Sequence, residues 1–382
     1  MIRNSPSKSG LTDPIALKDV ERELNRRTCI VQGPGESPIL LARMSNLVIY
    51  CDRAELASEV ANEIAEIVAT HPARVLLLLA EPSAEAGDLT TTVAVRGRVV
   101  DPGRWVCSEV VSLHAKGRAA ERLPYAVRSL LIGDLPTNLW WAAPQPPSMA
   151  GHLLYDLAEH AQQVIYDSVG WVEPPKVMAA TAAWLNQFEA RPGRVPWRVA
   201  SDLNWRRLKY WRRILAQTLD PATAPGAAES LSEILIEHGP HAVIQAWGLA
   251  GWMVSRLGWR VQEGHFQEGE EISWQFRSPS GLVRLRIRRL PEGTPEVQRI
   301  HLACILQGKP GAFNLELHPD RRISVMPEGV IKAAPRTLTA PVQSRAELIS
   351  RQLSDRERDP VFHESMAVAL ILAQRLLGSG QA

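Results

Sequence analysis

The nine residues Gly133–Trp141, GDLPTNLWW, constrain the fold of this chain more than any other stretch. A short apolar run opens after an Asp-Leu-Pro turn, ends in two adjacent tryptophans and is followed at once by the proline-rich APQPP. On a strand, successive side chains point to opposite faces, so Trp140 and Trp141 cannot both serve one core. Either the strand is central and buried on both faces between helices, or one ring faces a partner or a ligand.

The surrounding pattern alternates strand and helix. Ile39–Met44 and Leu47–Cys51 carry strand-like residues, and Leu56, Val60, Ile64 and Ile67 fall on one helical face. Ala73–Ala80 is a continuous apolar run, as expected of a strand buried on both faces. Leu89–Val100 alternates and reads as a more exposed strand, Val106–Leu113 as another. Pro124 opens a helix to about Leu131, Leu135–Ala142 returns as a strand, and Leu153 through Val164 mark the next helix. The prediction is an α/β domain with a largely parallel sheet over residues 39–226. Helices follow at about Lys176–Phe188 and Asn204–Thr218, before a linker at Asp220–Ala228.

Ahead of this lies an arm, residues 1–38. Asp13 and Pro14 suit an N-cap and first turn, and Leu17, Val20 and Leu24 share a stripe that caps its own sheet or docks on a partner. Gln32–Pro38 reads as a loop. Residues 227–382 read as a smaller α+β domain. The segment Leu231–Glu237 and an apolar helix, His241–Leu257, come first. Strands at Glu271–Arg277, Leu282–Leu290, Val297–Leu306, Ala312–Leu317 and Arg322–Met326 are joined by turns that suit an antiparallel meander. A C-terminal helical region begins near Arg345.

Composition excludes several classes of function. A formal charge of +2 is too small to make nucleic acid or a membrane the main partner. The apolar window Ala242–Val254 is shorter than the ~20 residues that span a bilayer. The N-terminus lacks the apolar core of a signal peptide, so a cytoplasmic protein is expected. Cys29, Cys51, Cys107 and Cys304 form no CxxC pair and read as buried reduced thiols; Cys51 and Cys107 can pair only if their strands adjoin.

Catalytic signatures are missing too. A dinucleotide site needs glycines at the first strand-to-helix turn, yet that turn reads CDRAELASEV, and Asp52 puts negative charge where phosphate would sit. There is no GxxxxGK[ST], no G-x-S-x-G, and Ala367 stands where a zincin motif starting at His363-Glu364 requires histidine. No cofactor and no metal are expected.

A basic and aromatic run remains, Trp205–Arg213, with Asp202 as a helix cap. Trp205, Leu208, Trp211 or Arg212, and Leu215 lie along one stripe; Arg206, Lys209, Tyr210 and Arg213 form another. The run is either a packed tryptophan stripe with a solvated basic face, or a docking or anion site. Eleven of the twelve tryptophans lie between Trp140 and Trp274, more aromatic area than one small domain buries easily. Rings at a domain junction or partner interface and a tryptophan-rich core are therefore equal expectations for any one residue.

Taken in order, NLVIYCDR, HPARVLLLL, SEVVSLHAKG, LPYAVRSLLIGDLP, the tryptophan run, DSVGW, SDLNWRRLKYWR and LAGWMVSRLGW resemble the glucose-6-phosphate dehydrogenase assembly proteins, the OpcA family. The resemblance covers residues 39–260 well and the remainder loosely. It implies a non-catalytic partner that promotes assembly or activation of glucose-6-phosphate dehydrogenase; the Asp-His-Tyr segment expected of the enzyme itself is missing. The residues expected at or near the contact surface are Trp140, Trp141, Trp205, Arg206, Arg207, Trp211 and Arg212. The alternative, motivated by the α/β sheet and the arginine cluster, is a sugar-phosphate or nucleotide-binding module or a diverged α/β enzyme.

Overall fold

The computed structural model describes residues 13–31, 40–41, 43–85, 87–101, 104–190, 198–267, 269 and 271–379. In chain order the first part comprises α1 (Val20–Val31), β1 (Leu40–Leu41), β2 (Ser45–Cys51), α2 (Ala54–Thr70), β3 (Ala73–Glu81), β4 (Leu89–Asp101), β5 (Arg104–Lys116), α3 (Leu123–Leu130), β6 (Thr137–Trp141), α4 (Gly151–Leu157), β7 (Gln163–Tyr166), α5 (Pro174–Ala190) and β8 (Val199–Asp202). The strands form a sheet in the order β1-β5-β3-β2-β6-β7-β8, all parallel, with β4 antiparallel beside β5. The chain winds outward from β2 to β3 and β5, then restarts at β6 on the other side. That is the doubly wound order, with its switch point between β2 and β6.

Residues on successive strand positions feed two cores. Val48, Tyr50, Leu139, Trp141, Val164 and Tyr166 face one layer. Leu47, Ile49, Cys51, Trp140 and Ile165 face the other. The adjacent tryptophans are therefore both buried, on opposite sides of a central strand.

Three local expectations shift. The arm helix starts at Val20 behind a short turn of 3-10 helix, Leu17–Asp19, and not at Asp13–Pro14. Ile15 donates its amide to the Thr91 carbonyl at 2.9 Å, which holds the preceding residues extended. Val20 and Leu24 are fully buried against the chain's own sheet. The helix predicted from Leu153 to Val164 stops at Leu157, and Val164 lies in β7. The sequence reading also missed β8, a strand of four residues, too short to display a period. The predicted loop at Gln32–Pro38 lies outside the described residues.

The second part comprises α6 (Leu203–Arg207), α7 (Lys209–Thr218), β9 (Leu231–His238), α8 (Val243–Leu257), β10 (Arg260–Gln267), β11 (Glu271–Ser278), β12 (Gly281–Arg289), β13 (Val297–Leu306), β14 (Lys309–Leu317), β15 (Arg322–Gly329), β16 (Arg336–Thr339), α9 (Arg345–Ser354) and α10 (Pro360–Ser379). Its eight-stranded sheet runs β10-β11-β12-β9-β13-β14-β15-β16. The expected meander is thus two meanders with β9 between them, parallel to β12 and antiparallel to β13. The inner face, including Trp274, Leu285, Ile236, Leu302 and Phe313, joins the core with α8 and α10. The outer face is polar: Glu271, Arg288, Glu237, Arg299 and Glu316 stand side by side on adjacent strands as a row of alternating charge.

The chain then returns to the first sheet. A capping box of Ser344 and Glu347 starts α9, whose Leu348, Ile349 and Leu353 close the core over Trp140. Helix α10 packs on α5 and α8. Its apolar span, Pro360–Gly378, is long enough to cross a membrane, but Phe362, Met366, Ala369, Leu372, Ala373 and Leu376 are buried in the core here.

Candidate functional site

In parallel sheets, ligands gather at the carboxyl ends of the strands. At this end Tyr166 of β7 pairs with Asp202 of β8. The Asp202 carboxylate caps α6, accepting from the Asn204 amide at 2.9 Å and from the Ser168 amide and hydroxyl at 3.2 and 2.6 Å. The residue as a whole is half-buried, but its carboxylate is enclosed. Burial, reinforced by the nearby Asp167 charge, pushes it up to about 7. Asp167 is gripped by both terminal nitrogens of Arg207, at 2.7 and 2.8 Å. Asn204 passes the chain of bonds to Gln245 of α8 at 3.1 Å, and Gln245 accepts the Val297 amide of β13 at 2.7 Å. This network ties the two sheets together. The cavity beside it, about 20 Å³, is too small for a substrate.

Across Trp205 the surface opens into a cleft of about 350 Å³ lined by Asp202, Trp205, Arg206, Lys209, Arg212, Arg351, Asp355, Glu357 and Asp359. Arg206 bonds Gln352 and pairs with Asp355 at 2.6 Å. The Trp205 indole donates to Asp359 at 2.7 Å, and the Arg212 guanidinium lies 3.6 Å from its ring centroid. A second cleft, about 410 Å³, is lined by His238, Phe266, Ile272, Ile287, Arg289 and Leu376 among others.

Of the residues expected at the contact surface, the structure brings Trp205, Arg206 and Arg212 to the first cleft. The four tryptophans of that set are buried. Trp140 sits in the core, with the Arg345 guanidinium 5.6 Å from its ring centroid. Trp141 stacks on Tyr50 at 4.2 Å and donates to the Gln145 carbonyl. Trp205 and Trp211 are buried as well, along the stripe with Leu208 and Leu215. Arg207 is engaged with Asp167. Arg351, Gln352, Asp355, Glu357 and Asp359 were missed because they lie about 150 positions downstream; the only local signal was the Asp359-Pro360 helix start.

At the β2–α2 turn, Asp52 and Arg53 pair with each other at 3.7 Å, and Arg53 occupies the cap position without a side-chain cap bond. No glycine provides the close backbone approach that a pyrophosphate needs. Among the described residues no group of three or more His, Cys, Asp and Glu side chains is placed to hold a metal. Cys51 and Cys304 are buried free thiols, and burial pushes Cys51 up to about 12. Strand β3 lies between the strands of Cys51 and Cys107, so the two do not adjoin.

Residues 64–183 match the family model described as the glucose-6-phosphate dehydrogenase subunit N-terminal domain, and residues 198–366 match its C-terminal counterpart. A protein named OxPP cycle protein OpcA from Synechocystis sp. is 27% identical over 290 residues, 70% of this chain and 56% of that one. Its namesake from Nostoc punctiforme is 32% identical over 165 residues, 43% of this chain and 33% of that one. The chain thus spans about half or less of these relatives' length. Among solved structures, an oxidoreductase from Sinorhizobium meliloti aligns over 89% of this chain and 98% of that one, at 11% identity and a TM-score of 0.49. That likeness is too loose to carry function. With both halves matched by paired domains of one family, the chain belongs to the glucose-6-phosphate dehydrogenase assembly protein family, OpcA.

Proposed function

We propose that this protein binds glucose-6-phosphate dehydrogenase, catalyses no reaction itself, and raises the population of the enzyme's active oligomer. The observation that carries this reading is the match of both halves to the assembly family. The β2–α2 turn supports it, since a doubly wound sheet without its glycine cradle is a scaffold lacking its usual phosphate site. A preference of ~1.4 kcal/mol for one state of the enzyme shifts its population about tenfold.

The outer face of the second sheet is the contact surface in this reading. Eight strands at ~4.8 Å spacing, each with ~8 residues at ~3.3 Å, present roughly 900 Å². A standard interface buries about 800 Å² per partner. Exposed Met326 lies on this face, paired with Asn314 two residues along β14 from Glu316 of the charge row, and exposed Ile305 lies on the same face toward the β13–β14 turn, opposite Pro310. The buried tryptophans frame the fold that presents it.

The test is the activity of purified glucose-6-phosphate dehydrogenase with and without this protein, together with the enzyme's oligomeric state. Activation with a shift in oligomer distribution is expected. Unchanged activity and unchanged oligomers across a saturating titration would remove the proposal.

A further inference from the structure

The cleft beside Trp205 contains an arginine, Arg212, that forms no ion pair among the described residues. Arg212 rests on the Trp205 indole; its Nε is buried without a hydrogen-bond partner, and one terminal nitrogen makes a long 3.4 Å bond to the Trp205 carbonyl. Burial pushes Arg212 down to about 10; the Asp359 carboxylate opposes that shift without pairing with the guanidinium, and the Arg206 charge adds to it. Removing a guanidinium from water without a carboxylate is costly, and an aromatic face offsets only part of that.

The acids nearby are already engaged. Asp355 holds Arg206. Asp359 takes the Trp205 indole and the first amides of α10, and Asp202 caps α6. Lys209 and Arg351, both exposed on the cleft walls, make no ion pair among the described residues. Gln343 and Glu357 on the same walls offer acceptors. One cleft therefore combines three cations, none in an ion pair among the described residues, with acceptors suited to hydroxyl groups. A lone carboxylate would use the cations and be repelled by Glu357; a molecule carrying both an anion and hydroxyls would use both.

We propose that this cleft binds a small phosphorylated polyol, with its phosphate on Arg212, Lys209 and Arg351 and its hydroxyls on Glu357 and Gln343. A guanidinium fork matches two phosphate oxygens. A cleft of about 350 Å³ falls within the size range of small-molecule sites. The site is separate from the outer sheet face, so it stands or falls independently of the enzyme contact.

The test is isothermal titration of the full chain alone, without any enzyme, using a hexose 6-phosphate, inorganic phosphate and the unphosphorylated hexose as probes. The hexose phosphate is expected to bind, phosphate more weakly, and the hexose not at all. Arg212→Met weakens hexose phosphate binding about tenfold or more. The Lys209→Ala/Arg351→Ala double variant, which alters only exposed side chains, weakens it severalfold with an unchanged melting temperature. This double variant decides the matter if Arg212→Met does not fold. Absence of binding at millimolar concentrations, equal binding of hexose and hexose phosphate or of phosphate and hexose phosphate, or unchanged affinity in the double variant would each overturn the proposal.

Discussion

Trp205 of α6 donates its indole N–H to Asp359 at the start of α10 across 2.7 Å, joining positions 154 residues apart. The same carboxylate accepts the Val361 and Phe362 amides as a helix cap. The same indole supports Arg212 on its face. One pair of side chains thus ties the returning C-terminal segment to the tryptophan run and sets one wall of the cleft.

Trp205→Phe removes this bond and leaves the ring. A loss of about 1–2 kcal/mol is expected, with the Asp359 end of α10 loosened. Urea unfolding gives the magnitude, and the rate of limited proteolysis near Arg358 reports the loosening.

Asp202 gives stability a pH dependence of defined sign. Its folded pKa of about 7 lies above the ordinary 3.8, so the folded state keeps a proton that the unfolded chain has lost. Its contribution to stability therefore falls as pH rises from about 4 to about 7 and is flat above that. Asp202→Asn, neutral throughout, is expected to gain stability relative to the parent across this window, on the order of a few kcal/mol. Denaturant melts of both proteins at a series of pH values check the slope.

Arg74 lies almost fully buried with Glu109, at 2.7 Å, while Glu21 reaches it from the arm and Arg43 bonds the other Glu109 oxygen. Glu109→Ala strips a buried cation of its buried partner and is expected to cost about 3–5 kcal/mol. Glu21→Ala, at a side chain 57% exposed, is expected to cost less than about 1 kcal/mol. The ordering of the two unfolding midpoints is the readout.

Gly251 allows α8 to meet α10 closely, since a Cβ there would stand 2.7 Å from the Ser365 carbonyl oxygen. Alanine gains up to about 1 kcal/mol in helix propensity but must push backbone aside, at about 1–3 kcal/mol. Packing wins, so Gly251→Ala lowers the melting temperature in calorimetry.

Much of the first sheet was legible in the sequence. Adjacent tryptophans demanded two buried faces, and alternation along β2, β6 and β7 delivers them. Strands such as Gln163–Tyr166 were not legible, because four buried residues display neither an alternating nor a helical period. The placement of β9 between two meanders depends on the pairing of Ile234 with Leu285 on one side and Leu302 on the other, a long-range choice no local pattern encodes. The basic run at Arg206–Arg213 was visible, but its acidic counterparts at Asp355 and Asp359 arrive from the end of the chain. Concentrated tryptophan left an interface and a tryptophan-rich core equally open; rings such as Trp247 and Trp274, packed edge to face at 4.9 Å, fill a core shared by both sheets.

The central claim, contact with glucose-6-phosphate dehydrogenase through the outer face of the second sheet, is tested most directly by sedimentation velocity of the two proteins mixed. The comparison is the parent against an Arg299→Glu/Met326→Asp variant with an unchanged melting temperature. The account predicts a faster-sedimenting complex with the parent that disappears with the variant. A complex that persists undiminished with the variant, or no complex with either, would contradict it.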